Sequence, residues 1–195
     1  MGTWQLDPYH TQIEFATKHL GFMTVRGHFL EVALTSHIDP DHPENSSAQV
    51  TIQTASIHTG TEARDSDLRT SNFLEVDKYP VITFKSTSAG QAGPEKYTMT
   101  GDLTIKETTR PVTIEVTRLG EVNDPEMMGH RIGYTARTQI RRHDFGLAFD
   151  FIRDGKMVIG EEIQITIEGE LVEQKEPAAG TSTPSPKCCG LRCTD

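Results

Sequence analysis

Chemistry in this chain would have to come from eight histidines, three cysteines and a few close-set carboxylates. The histidines are His10, His19, His28, His37, His42, His58, His130 and His143. No two have the spacing that places a pair of metal ligands around a general base on one helix face. None adjoins the nucleophile of a GxSxG turn, and the sequence contains neither a GxGxxG run nor a phosphate loop. Asp144-Phe145-Gly146 has the letters of a kinase magnesium motif but lacks the Gly-rich loop and the strand lysine. A turn is expected instead, with Phe145 packed inward and Gly146 in an unusual backbone region. Asp65 and Asp67 could open a calcium loop, but Arg69, Thr70 and Val76 stand where a ligand, the glycine and the last carboxylate belong. His37, Asp39, Asp41 and His42 lie in a Pro-containing loop with no strand to fix them. Cys188, Cys189 and Cys193 lack a fourth ligand and a histidine. No metal and no cofactor are therefore expected, and no catalytic set.

Composition narrows the partners. The formal net charge is -9. From Glu173 onward the acids Glu173, Glu176 and Asp195 balance the bases Lys175, Lys187 and Arg192, so the main domain carries the excess. Such a domain repels nucleic acid and anionic surfaces at long range, and no nucleic-acid partner is expected. No run of apolar residues is long enough to span a membrane as a helix. The opening Met1-Gly2-Thr3-Trp4-Gln5-Leu6 has no basic or apolar leader pattern, so a cytoplasmic location is expected, or an exported one if a leader was trimmed. A cysteine-free domain suits either side of a membrane.

The elements that position these residues are strands. Apolar and polar residues alternate in Ile13-Glu14-Phe15-Ala16-Thr17, Val50-Thr51-Ile52-Gln53, Val81-Ile82-Thr83-Phe84-Lys85, Val112-Thr113-Ile114-Glu115-Val116 and Ile163-Gln164-Ile165-Thr166-Ile167. A longer run covers 97–105, and two more strands fit 25–34 and 132–140. Eight antiparallel strands with scarcely any helical period suit a sandwich or a closed barrel. Between them, Thr59 and Glu62 form a capping box, with Thr59 as N-cap, ahead of a short helix over 63–71. That insert is expected to cross one barrel mouth. Beyond Glu176 the Pro-, Ser- and Thr-rich composition reads as a disordered tail over 176–195, leaving one domain over 1–175.

Four blocks of residues resemble the YceI-like family. They are Trp4-x-Leu6-Asp7-Pro8-x-His10 with Ile13, Phe15, Lys18, His19, Gly21 and Val25-Arg26-Gly27-x-Phe29; Arg64, Leu68-Arg69, Phe73-Leu74, Val76 and Tyr79-Pro80; Gly101-x-Leu103-Thr104-Ile105; and Arg142-x-Asp144-Phe145-Gly146-Leu147. They run in order from 4 to 172. Asp67 departs from the histidine the family often carries before Leu-Arg, and Thr108 from a glycine-rich turn. The resemblance implies an all-β, eight-stranded antiparallel lipocalin-like barrel with a short helical insert. It further implies that the barrel encloses a polyisoprenoid chain, with transport and stress response among the family's roles.

Alternation then supplies the lining. The inward sets are Ile13, Phe15 and Thr17; Val50, Ile52 and Thr54; Ile82 and Phe84; Tyr97, Met99 and Leu103; Val112, Ile114 and Val116; Ile163, Ile165 and Ile167. The expected ligand-binding residues are Ile13, Phe15, His19, Phe22, Phe29, Ile52, Ile82, Phe84, Met99, Leu103, Ile114, Phe145 and Ile165. His19 shares parity with Ile13 and Phe15; a structural hydrogen bond is its simpler role, a polar anchor for a lipid its functional one. Phe22 and Met23 are expected at the entrance. The expected activity is non-enzymatic binding, storage or transport of a long-chain isoprenoid or other apolar lipid, with a homodimer left open. The alternatives are a barrel enzyme acting on an apolar substrate with His19 as base, and a stress-related interaction protein whose barrel is filled by its own side chains.

Overall fold

The computed structural model describes residues 2–7, 9–39 and 42–174. The tail expected over 176–195 lies outside the described residues. In chain order the elements are β1 (Gly2–Leu6), β2 (Gln12–His19), β3 (Met23–Phe29), β4 (Val32–Ile38), β5 (Ser47–Gln53), β6 (Ile57–His58), α1 (Glu62–Arg69), β7 (Val81–Gly93), β8 (Lys96–Ile105), β9 (Thr108–Asp124), β10 (Gly129–Arg141), β11 (Ile152–Arg153), β12 (Lys156–Met157) and β13 (Ile159–Gln174).

They close into an antiparallel barrel of eight staves. β1 and β2 continue one another along β13, which pairs with β2 through Ile167↔Ile13 and with β1 through Leu171↔Leu6. β3 and β4 likewise form one stave, broken at Leu30-Glu31, and β5 and β6 another. The strand expected over 25–34 is therefore a kinked stave, longer at both ends. The kink resets parity: Phe29 faces inward before it, Val32 and Leu34 after it.

Register follows from the apolar alternation, because a one-residue slip would turn every inward side chain to water. Phe84 stands between Val50 and Leu103, and Met99 opposite Ile114. Gly101 makes room for Phe84: a Cβ on Gly101 would meet the Phe84 ring and the Lys85 carbonyl at 2.5 Å. Of the register shifts between strands, two reset the parity of the lining. One at Ser86/Ser88 brings Ala89 inward after Phe84. The other inserts Leu119 into β9, where Arg118 faces Tyr134 but Glu121 faces Ile132. Residues three apart in a plain strand point to opposite faces; the bulge puts Arg118 and Glu121 on the same one.

One end of the barrel is shut by the α1 insert and by the excursion from Arg142 to Ile159. Leu68, Phe73 and Leu74 from the insert reach the interior, so it does cross a mouth. The N-cap lies two residues beyond the one the capping box implies: it is Thr61, which makes no side-chain cap. Thr59 instead donates its N–H (2.8 Å) and hydroxyl to the buried Asp65, and Arg64 binds the Thr59 carbonyl at 2.9 Å. The apparent cap residues thus tie the helix to β6. Thr54, expected to face inward, sits in a short turn after β5 and donates to the Tyr79 carbonyl at 2.8 Å.

At the other end a polar pin closes the seam between β1 and its neighbours. Asp7 is buried and accepts from Arg131 and from the Tyr9 N–H (2.9 Å), with His10 at 3.1 Å. The Arg131 guanidinium, then His10, hold the Asp7 carboxyl well below the usual carboxylate range. A depressed folded-state pKa gives stability that is complete above the unfolded value of about 4 and fades as pH falls through the lower folded one. Asp7→Asn is therefore expected to lose about 2 kcal/mol at neutral pH. Urea unfolding checks this: the gap to the parent protein should narrow steadily below pH 4. A gap that stays constant to pH 2 would show that the carboxylate charge is not what stabilises the seam.

Candidate ligand cavity

Two chambers occupy the interior, of about 190 and 180 Å³. They meet at a waist of Ile13, Val50, Phe84, Ile114 and Ile167, which line both. The inner chamber ends under Phe73, Leu74, Leu147 and Ile159. The outer one ends at Ile38, Asp39, Pro43 and Gly90, beside the open rim of the barrel. On β7 the lining runs from Ile82 to Gly90, and on β9 from Val112 to Arg118. At about 3.3 Å per residue, the β9 stretch alone is roughly 20 Å long. Placed end to end, the two chambers give the barrel a long apolar interior.

Ten of the thirteen expected residues line it: Ile13, Phe15, Phe29, Ile52, Ile82, Phe84, Met99, Leu103, Ile114 and Ile165. Three are placed elsewhere. His19 stands at the end of β2, with its Nδ1 3.0 Å from the Val158 carbonyl, which fastens the hairpin end to the closing excursion. Phe22 is exposed on the turn after β2, with Lys156 5.7 Å above its ring, and Met23 beside it is exposed too. Phe145 is buried behind the lining, in the core with Ile140 and Leu147. The chain turns there through Gly146 at φ +72°, a left-handed conformation that favours glycine.

Alternation did not foretell the charged residues of the cavity. Arg142 is almost wholly buried at the inner end, and its five N–H donors are all engaged. Nε donates to the Gly160 carbonyl (3.0 Å), Nη1 to those of Leu147 (2.6 Å) and Phe149 (3.1 Å), and Nη2 to Asp150 (2.5 Å) and the Ile159 carbonyl (3.5 Å). It clasps the excursion shut. The run Arg142-His143-Asp144-Phe145-Gly146 is thus a structural corner. Arg118 lines the outer chamber between two acids.

The titratable clusters are similarly spent. Asp7, His10 and Glu170 have ligand atoms close enough to hold a metal ion. The Arg131 guanidinium already occupies the gap between Asp7 and Glu170, 2.9 Å from the latter, so a cation is in place there. Asp65 of the rejected calcium loop serves Thr59, with His58 at 3.2 Å.

The sequence matches the model of the YceI-like domain over residues 4–171. It is 36% identical to Protein YceI of Escherichia coli O157:H7 over 166 residues, 85% of this chain and 83% of that protein. Among solved structures, BcnA of Burkholderia cenocepacia superposes with a TM-score of 0.74 at 25% identity, covering 85% of this chain and 98% of that one. A polyisoprenoid-binding domain from Saccharophagus degradans superposes with a TM-score of 0.62, covering 89% of this chain and all of that domain. At 17% identity that last likeness concerns the fold alone.

Proposed function

Given that the chain belongs to the YceI-like domain family, we propose that its barrel binds, without catalysis, one long apolar lipid of polyisoprenoid type and serves to store or carry it. The observation that carries this reading is a pair of apolar chambers that adjoin at Ile13, Val50, Phe84, Ile114 and Ile167 along the barrel interior. A barrel filled by its own side chains would leave no such chambers. Each buried methylene contributes about 0.8 kcal/mol, so ten chain carbons contribute roughly 8 kcal/mol before the costs of association. Hydrocarbon burial alone then brings binding to around micromolar. Acid–base chemistry would need a poised group at the cavity, whereas Arg142 is committed to main-chain carbonyls and His19 to the Val158 carbonyl.

Organic extraction of the purified protein, followed by mass spectrometry, tests the reading. The expected result is a polyprenyl lipid at about one per chain. Extracts that hold no lipid, from protein expressed in cells rich in polyprenyl lipids, would favour the side-chain-filled barrel instead.

A further inference from the structure

The outer chamber differs from the inner one in carrying polar side chains that still have capacity. Thr11 lines it, and its Oγ1 is buried with no hydrogen-bond partner among the described residues. A buried hydroxyl left so is costly unless a ligand supplies the partner. Tyr97 and Tyr134 line the same end, and Tyr134 stands opposite Arg118 in the β9–β10 register. Burial pushes the Tyr134 phenol up, so it remains an O–H donor throughout the physiological range.

Among the described residues Arg118 is the sole cation lining this chamber, and its charge is already matched. Glu95 approaches it at 3.8 Å, and Glu121 is in direct contact. The β9 bulge brings Glu121 onto this face. Glu121 also bonds His130 at 2.6 Å, and that ring's other nitrogen lies 2.8 Å from Glu173. Asp39, also in the lining, has its carboxylate engaged by the His42 N–H at 2.9 Å. A phosphate arriving here would have to compete for Arg118 with the two carboxylates already paired to it. It would lack the charge-assisted donors that anion binding requires. An alcohol or carbonyl would need only hydroxyl partners.

Resting on the lipid-binding reading above, we propose that the outer chamber selects lipids with an uncharged, hydrogen-bonding head group, such as a polyprenyl alcohol, over their phosphates. Thr11, Tyr97 and Tyr134 receive the head, and Glu95 and Glu121 exclude the anion by neutralising Arg118.

The test uses the full chain, stripped of lipid, with the neutral fluorescent probe N-phenyl-1-naphthylamine in the cavity. Geranylgeraniol and geranylgeranyl phosphate compete for it. The alcohol is expected to displace the probe at concentrations about tenfold or more below the phosphate. Glu95→Gln with Glu121→Gln should narrow that ratio, because Arg118 is then released to pair with the anion. A phosphate that competes as well as the alcohol, and that weakens in Arg118→Gln, would overturn the head-group assignment while leaving lipid binding intact. Failure of both compounds to displace a bound probe would instead strike at the lipid-binding reading, and the head-group assignment would fall with it.

Discussion

Arg142→Lys is expected to cost about 3 kcal/mol of stability and to loosen the closed end of the barrel. The guanidinium forks to four main-chain carbonyls and Asp150 at once. A lysine ammonium is a single point donor on a flexible stem and cannot reach all of them. The Leu147, Phe149 and Gly160 carbonyls then lack partners, and each unsatisfied buried acceptor costs about 1–3 kcal/mol, partly recovered where water enters. The loss should be local before it is global. Hydrogen exchange over 147–160 is expected to accelerate well beyond that of β8 and β9. Arg142→Met keeps the apolar stem and removes every donor, so it separates packing from hydrogen bonding. If Arg142→Met matches the parent protein in both thermal unfolding and exchange, the clasp is not what holds this end closed.

Ile114→Arg is expected to lower bound lipid by about fivefold or more, since a guanidinium at the waist has no partner there and resists desolvation. Ile114 lines both chambers and faces Met99, so one substitution intrudes on both. Its neighbour Glu115 is exposed on the outer face of β9. Glu115→Arg sets a like charge opposite Arg137, which costs a few tenths of a kcal/mol and leaves lipid content as it was. Both variants are to be compared as folded species, judged by circular dichroism, with lipid quantified by extraction. Should Ile114→Arg unfold the barrel, Ile114→Trp fills the waist with an apolar side chain and asks the same question. Full lipid occupancy in a folded Ile114→Arg or Ile114→Trp protein would show that the ligand does not thread the waist.

Most of the barrel was legible in the sequence because strand periodicity is a local property. Ile82, Phe84, Ile114 and Ile165 face inward simply because every second residue of a pleated strand does. Eight such runs, joined by turns, leave few antiparallel architectures open, and the resemblance to a known family pointed to one of them. The apolar lining and the insert across a mouth were accordingly readable. Alternation fails wherever the backbone slips. The kink at Leu30-Glu31 and the bulges at Ser86/Ser88 and Leu119 reset parity, and each depends on how a strand meets its partner.

Charge and capping show the same division. Thr59 and Glu62 have capping-box spacing, yet Thr59 is drawn away by Asp65, whose buried carboxylate needs both its N–H and its hydroxyl. Local propensity proposes a cap, and a tertiary contact that satisfies a buried charge wins, because an unpartnered carboxylate costs far more than a missing cap. Arg142 likewise belongs to a recognisable block in the sequence, but nothing along the chain marks its partners. Only the fold gathers carbonyls from 147, 149, 159 and 160 around it. The apolar nature of the cavity was written into strand alternation. The state of its two arginines was decided by residues distant in sequence: a charge's effect depends on what surrounds it in space, which the order of residues along one strand does not reveal.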